Sequence, residues 1–483
     1  MVRVYPSCSL VRYVAGAASG HAGVGPGCAQ RVTSPLICFM ITAQESCKPI
    51  RVPCPMPPQQ TKADISPGYA NYVLGVLFVV YVFNFIDRQV LSVFIGPIKE
   101  EFGASDTQMG LLAGFAFALL YTFAGIPIAR LADRGNRRNI IAIGLTVWSA
   151  MTVACGMARS FVQLAVARVL VGIGEAAGSP PSHSLIADYF PMDRRATALA
   201  FYTTGAFVGS AIAYLGGGYL REYFDWRTAF IVLGAPGLCI ALLLRFTVRE
   251  PPRGLSEQRT DEDDASTLRE TLAFLGRSRA WVCMMSGFSL VSITSYAILM
   301  WGYEFYGRIH ELPPITIGNW MGIIVGIGGS VGTVLGGRMV DLLGRQSATR
   351  GMRASVLVTM TGFPLGVFAL LCESAQLSLW VLGPFYLLLN VYLAAMYSNN
   401  QNLARLQMRA TAAAIMLFIV NIVGAGAGPL VVGILSDLLA ADYGVDSIRY
   451  ALVCSVLLGA VGAVIIYLSG RWLEADLARA RGE

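Results

Sequence analysis

TQMGLLAGFAFALLYTFAGIPIAR, at residues 107–130, is an apolar segment of 24 residues whose single charge is the terminal Arg130. A helix needs about 20 apolar residues to cross the hydrocarbon core of a bilayer, so this segment predicts a membrane-spanning helix. Across the whole chain 55% of residues are hydrophobic and 13% are charged, which is too apolar for a water-soluble domain. The alternation expected of strands is missing, so we predict an all-α membrane protein.

Similar apolar segments follow one another from residue 69 to residue 470. We predict twelve transmembrane helices in two pseudo-symmetric six-helix bundles, near residues 69–95, 107–130, 139–158, 161–186, 196–220, 227–247, 281–304, 314–337, 354–372, 376–400, 410–436 and 448–470. The predicted domains are a disordered N-terminal extension (1–66), a first bundle (67–248), a cytoplasmic linker (249–279), a second bundle (280–470) and a cytoplasmic tail (471–483).

Cations are distributed unequally between the two sets of loops. Nineteen arginines fall in loops on one side, against six cations on the other. Because short cytoplasmic loops carry the excess of Lys and Arg, we predict that the arginine-rich side and both termini are cytoplasmic. The short loops suit a bacterial inner membrane. The net charge of +7 then reflects topology and gives no reason to expect nucleic acid as a partner.

Two stretches lie outside this scheme. Residues 1–66 are rich in Gly, Pro, Ser and Cys without a helical apolar period, which predicts disorder. In the linker, Thr267 and Glu270 have the spacing of a capping box, and leucines follow at helical spacing. We predict a short helix on the membrane surface there.

The two halves of the chain repeat one another. Gly110, Gly114 and Asp133 match Gly318, Gly322 and Asp341 at one ungapped offset of 208 residues. Internal repeats of this kind are typical of transporter folds.

The loops that follow these glycines carry a motif. Residues 337–345 read GRMVDLLGR and residues 129–138 read ARLADRGNRR. This resembles the loop signature of the major facilitator superfamily, which the second copy fits fully, whereas the first has Ala129 and Asn136 where the family usually has Gly. A carboxylate among guanidinium groups can cap a neighbouring helix end and latch the two halves. We therefore expect these loops to form a gate through Asp133, Arg134, Arg137, Asp341 and Arg345. Arg88, on the first predicted span, is expected to be a further gate residue.

Further segments resemble the spinster branch of that superfamily. They are FNFIDR at 83–88, RVLVGIGEA at 168–176, SPPS at 179–182, IADYFP at 186–191, WR at 226–227, RAT at 409–411 and GAGP at 426–429. The resemblance covers roughly residues 69–471. It implies transport of a lipid-like amphiphile, although bacterial members of the branch are less well defined and a different substrate is open.

Charged residues inside the predicted spans point to function. A charge near the bilayer centre costs about 3 kcal/mol, so such residues face a cavity and find partners. Arg168 and Glu175 are seven residues apart, close to two helical turns, and share one helix face. By depth we expect Asp87 to pair with Arg168, and Arg88, nearer the outer end, to brace a gate.

We therefore predict a proton-coupled secondary transporter in which Asp87, Arg168 and Glu175 couple proton binding to alternating access. The expected partners are the bilayer, protons and a small amphiphilic substrate, and we expect a monomer. Glu304 and Arg308 are expected to form an exposed pair of small value. Substrate contacts are expected from Phe83, Asn84, Glu175, Ser292, Tyr296, Asn390 and Asn421.

Other functions remain open at this stage. A membrane-embedded enzyme could use a buried carboxyl group as acid or base, but the chain has only three histidines, and we expect no metal, no cofactor and no catalytic residue. No phosphate-binding loop of the ATPase type is present, so ATP drive is not expected. A lipid-binding receptor, or a facilitator for a different small organic solute, also fits the sequence.

Overall fold

The computed structural model describes residues 66–252, 267–344 and 347–481. Eleven helical stretches in this part of the chain are long and apolar enough to cross a membrane, and the last of them contains two helices. The protein is therefore a twelve-helix membrane protein. The predicted disorder falls on residues 1–65, which lie outside the described residues, as does the charged part of the linker at 253–266.

The membrane-spanning helices are numbered α1 to α12. In the first half they are Pro67–Val93, Asp106–Ala132, Arg137–Gly156, Phe161–Tyr189, Met192–Tyr223 and Trp226–Thr247. In the second half they are Arg279–His310, Pro314–Gly344, Ala348–Leu371, Ala375–Asn402, 409–443 and Ser447–Ser469. Several helices extend past the predicted spans because polar residues prolong them beyond the apolar segment.

Five helices depart from regular α geometry, and one of them, α10, is interrupted between Leu389 and Leu393. Helix α4 is broken after Glu175 and resumes at Ser179, where two prolines open the new segment. Helices α2, α8 and α11 contain π-helical segments at Leu111–Phe115, Ile324–Gly328 and Val420–Ala427. Such segments are often found at functional sites.

The two halves meet chiefly along two helix pairs, α2 with α11 and α5 with α8. Glycine allows the close approach in both pairs: a Cβ on Gly110 would lie 2.5 Å from the Pro429 carbonyl oxygen, and a Cβ on Gly318 would lie 2.5 Å from that of Tyr214. These glycines are the equivalent positions of the sequence repeat. Both crossings lie toward one end of the bundle, the arginine-poor face, whose loops are 94–105, 157–160, 224–225, 311–313, 372–374 and 444–446.

The opposite end is the arginine-rich face, where a short helix, Leu268–Gly276, precedes α7. The predicted capping box is present, since the Thr267 hydroxyl accepts from the Glu270 N–H and the Glu270 carboxylate accepts from the Thr267 N–H. Leu275 packs inward, whereas Leu268 and Leu272 are exposed. The helix thus presents an apolar side that the described protein does not cover.

Candidate functional site

An ion pair links α1 to α4 at the break in α4. The Arg88 guanidinium donates to Oε2 of Glu175 from Nε at 3.2 Å and from Nη2 at 2.8 Å. The Glu175 side chain is fully buried and the Arg88 side chain is 15% exposed. A buried pair held by two charge-assisted hydrogen bonds fixes the geometry of both side chains.

Three aromatic rings surround the Arg88 guanidinium. Its central carbon lies 5.1 Å from the Phe85 ring centroid, 5.0 Å from that of Phe117 and 4.9 Å from that of Tyr121. Rings at this distance stabilise a cation through their negative faces. The sequence analysis missed this aromatic cage, although Phe117 and Tyr121 are four residues apart in α2 and therefore lie on one face.

Arg168 is buried and bonds to the main chain of α1. Its Nη1 donates to the Asp87 carbonyl oxygen at 2.7 Å, and its Nη2 donates to the Arg88 carbonyl oxygen at 2.9 Å. The expected pairing of Arg168 with the Asp87 carboxylate is therefore wrong. The expectation that Arg88 lies outside the central site is wrong too, because its long side chain reaches Glu175.

The Asp87 carboxyl group is buried and faces α3. The Trp148 indole and the Thr152 hydroxyl lie beside it, but neither carboxyl oxygen is in hydrogen-bonding geometry with a described donor. The second oxygen of Glu175 is also free of such a donor. Two buried carboxyl groups therefore have unused hydrogen-bonding capacity in one region of the first half.

The other residues expected to contact the substrate differ in whether they lie near Glu175. Asn84 is buried beside Glu175, and Phe83 lies one residue earlier on α1, partly exposed. Ser292 donates to the Ser289 carbonyl and Asn390 to the Tyr386 carbonyl, each within its own helix. Both polar groups are thus already satisfied locally.

Two second-half residues are better placed to meet a solute. Tyr296 and Asn421 are partly exposed, and Tyr296 lies within electrostatic range of Arg88. Tyr296 also packs against Gly424 in the π-helical segment of α11.

On the arginine-rich face, the expected gate residues that the structure describes do not join the two halves. Arg137 bonds to Asp188 and, at 2.7 Å, to Glu250, all within the first half. Arg134 and Asp341 are exposed. The side chain of Asp133 and the whole of Arg345 lie outside what the structure describes.

On the arginine-poor face, charged residues do join the halves. Arg308 donates to both carboxylate oxygens of Asp106 at 2.7 Å and to Glu304 at 2.7 Å. Lys99 adds a second cation, whose Nζ lies 2.6 Å from Oδ1 of Asp106. Glu304 is only 4% exposed, so the expectation that the Glu304–Arg308 pair is exposed is wrong.

Further contacts extend this outer network, as we call the cluster around Asp106 and Arg308. The Glu304 carboxylate accepts from the Gly96 N–H at 3.1 Å and lies 3.8 Å from Arg221. Asp437 accepts from the N–H groups of Asp106 and Thr107 at 3.0 and 2.8 Å, so it caps the start of α2. Helices of both halves are thus bonded together at this end.

Comparisons with known proteins agree with this architecture. The family model of the Major Facilitator Superfamily matches residues 77–429. The chain belongs to the Major Facilitator Superfamily. Among curated relatives of this superfamily member, an MFS-type efflux pump of Mycolicibacterium smegmatis is 32% identical over 412 residues, which cover 85% of this chain and 95% of the relative.

The comparisons also define the branch. Human protein spinster homolog 1 is 26% identical over 447 residues, covering 86% of this chain and 84% of the relative. A bacterial homolog of the human lysosomal transporter Spinster, solved in an inward-facing and unoccupied conformation, has a TM-score of 0.77 at 30% identity, covering 85% of this chain and 99% of that one. This superfamily member is therefore spinster-like.

A D-xylose–proton symporter, at 18% identity and a TM-score of 0.65 over 83% of this chain and 97% of that one, shares the fold. The superfamily indicates a transporter rather than an enzyme. Within the described residues no group of three or more His, Cys, Asp or Glu side chains is arranged to hold a metal ion.

Proposed function

We propose that this protein is a proton-coupled secondary transporter that moves a small amphiphilic or lipid-like solute by alternating access. The single observation that carries the proposal is the Arg88–Glu175 pair, buried at a helix break and surrounded by aromatic rings. Glu175 neutralises Arg88 only while it is ionised. Protonation of Glu175 leaves Arg88 without its counter-ion, so an anionic group on the solute can take that place.

This exchange would couple the two ligands. A proton on Glu175 and an anionic group on Arg88 favour each other, because each compensates the charge change that the other causes. Binding of one therefore raises the affinity for the other by the same factor. Asp87 is a second candidate proton carrier, since its buried carboxyl oxygens have no described hydrogen-bond donor.

The aromatic cage supports an amphiphilic solute. Phe85, Phe117 and Tyr121 offer apolar surface directly beside the charge of Arg88, and Tyr296 adds a ring from the second half. A solute with one anionic end and an apolar body satisfies both features.

We further propose that the arginine-rich face is cytoplasmic in a bacterial inner membrane, with both termini on that side and with the protein as a monomer. The excess of arginine on that face supports the orientation. In this orientation the outer network closes the external end of the solute pathway.

Proteoliposomes under an imposed pH gradient test the proposal. The solute is an anionic lysophospholipid with a fluorescent tail, and its movement is followed together with internal pH. Glu175→Gln is expected to abolish the dependence of solute movement on the gradient, and Asp87→Asn to weaken it by about tenfold or more. Glu373→Gln, which neutralises an exposed acid between α9 and α10, is the matched control.

Two results would count against the proposal. Unchanged pH dependence in both Glu175→Gln and Asp87→Asn would remove the proton sites. Lack of solute movement in the wild-type protein, with lysophospholipid still bound, would favour a lipid-binding receptor instead.

A further inference from the structure

A cavity of about 550 Å³ opens on the arginine-rich face, away from the central site. It lies between the end of α10, the start of α11 and the terminal helix Leu473–Arg481, and it is lined by Asn402, Ala404, Arg405, Arg409, Ala480 and Arg481. Three of these six residues carry a guanidinium group. No carboxylate is among the described residues that line it.

The acids of the terminal helix are directed to other partners. Asp476 accepts from the Ser278 hydroxyl at 2.6 Å and from the Ala280 N–H at 2.9 Å. Glu474 accepts from the Ser347 hydroxyl at 2.6 Å, although it also lies within electrostatic range of Arg481. These bonds hold the helix in place and leave the described lining of the cavity with an excess of positive charge.

The short helix Leu268–Gly276 forms a neighbouring wall. Its Phe274 ring lies between two cations, 4.7 Å from the Arg405 guanidinium carbon and 5.6 Å from that of Arg479. On the same helix Leu268 and Leu272, one turn apart, are 59% and 44% exposed. An exposed apolar strip beside a basic cavity is the pattern of an element that lies at the membrane interface.

We propose that this cavity binds the headgroup of an anionic phospholipid from the leaflet on the arginine-rich side. The guanidinium groups of Arg405 and Arg409 meet the phosphate, and the acyl chains lie along Leu268 and Leu272. Basic pockets between helices on the cytoplasmic side are suited to such headgroups, because the phosphate is fixed at the depth where the arginines lie. A free anion would satisfy the arginines but would make no use of the adjoining leucines.

Native mass spectrometry of the full-length, detergent-purified protein tests this site. Phosphatidylglycerol and phosphatidylcholine with identical acyl chains are titrated separately. The wild-type protein is expected to retain phosphatidylglycerol preferentially, and Arg405→Gln with Arg409→Gln to weaken that binding by at least about tenfold. The control, Arg245→Gln with Arg338→Gln, removes two exposed arginines of the same face that do not line the cavity.

Two additional arms keep the proposal open to contradiction. Arg405→Lys with Arg409→Lys keeps the charge and is expected to retain most of the binding even if the glutamine variant fails to fold. Inorganic phosphate, at the lipid concentration, is expected not to displace the lipid. The proposal would be overturned by equal binding of the two lipids or by displacement of the lipid by phosphate. It would also be overturned if the control variant lost as much phosphatidylglycerol binding as the glutamine variant, or if the lysine variant lost as much as a folded glutamine variant.

Discussion

Arg308 at the end of α7 and Asp106 at the start of α2 are joined by two hydrogen bonds of 2.7 Å, and they belong to different halves of the protein. Arg308 holds Glu304 at the same time, so one guanidinium bonds to two carboxylates. The arrangement closes the arginine-poor end of the bundle. Any rocking of the halves that opens this end has to break the Arg308–Asp106 pair.

Loss of the pair should therefore favour opening at the arginine-poor face. Asp106→Asn removes the charge from a bidentate contact of the kind that contributes about 1.5–3 kcal/mol, so the open fraction is expected to rise by at least about tenfold. Spin labels at Tyr223 and Val445, both 70% exposed and on different halves, report the change as a longer distance in pulsed electron resonance. Glu373→Gln should leave the distance distribution unchanged, and an unchanged distribution in Asp106→Asn would contradict the role of the network.

The glycine crossings give a second prediction. Gly318→Ala places a Cβ 2.5 Å from the Tyr214 carbonyl oxygen, closer than real Cβ contacts, and rigid backbone on both sides has to move. We expect the free energy of unfolding to fall by about 1–3 kcal/mol, which is seen as a lower Tm. We also expect a longer distance between the spin labels at Tyr223 and Val445. Gly125→Ala is the matched control, because its Cβ would meet no atom within 4 Å. Equal behaviour of the two variants would show that α5 and α8 do not depend on close packing there.

The aromatic cage predicts that Arg88 and lysine are not equivalent. Arg88→Lys keeps the charge but loses the two-nitrogen contact with Glu175 and the flat stacking surface. We expect solute movement in proteoliposomes to fall by about tenfold or more, while Tm changes little. A variant with wild-type turnover would argue that only the charge of Arg88 matters.

A pH-dependent contact lies in the loop outside the membrane. The Arg227 guanidinium, 2.5 Å from the Glu101 carboxylate, and the Trp226 indole hold the pKa of Glu101 below its usual value. Because the pKa of Glu101 is lower in the folded protein than in the unfolded chain, ionised Glu101 stabilises the folded state at pH values above the unfolded pKa of about 4.3. This stabilisation is lost as the pH falls through the folded pKa.

Glu101→Gln should therefore lower Tm slightly, by no more than about 2 °C at about pH 7, because the pair is exposed. The difference from wild type should shrink as the pH falls below the unfolded pKa of about 4.3 and through the lower folded pKa. Differential scanning fluorimetry measures both. A difference that persists in acid would assign the effect to the loss of a hydrogen bond rather than of a charge.

The twelve-helix fold could be predicted because the twelve apolar segments and the internal repeat can both be read directly from the order of residues. The repeat also marked Gly110 and Gly318, which lie at equivalent crossings between the halves. It could not show that helices of the two halves cross at these glycines, since that depends on the conformation of the whole protein.

The central site was predicted as a set of residues but not in its pairing. Burial in an apolar span identified Arg88, Arg168 and Glu175, whereas the main-chain acceptors of Arg168 cannot be seen in a sequence. The outer network was missed for a related reason. Glu304 and Arg308 were assigned to solvent, and only the packing of one half against the other buries them.

The Arg88–Glu175 pair and its three aromatic rings all lie on α1, α2 and α4. Under the proposed function, the proton-sensitive machinery is contained in a single continuous stretch of about a hundred residues. Residues of the second half can therefore change, in evolution or by design, so that a different solute is accepted. The coupling of proton binding to solute binding is then left unchanged. Exchanging the second half between relatives of this branch is then a route to a changed substrate selectivity with the proton coupling retained.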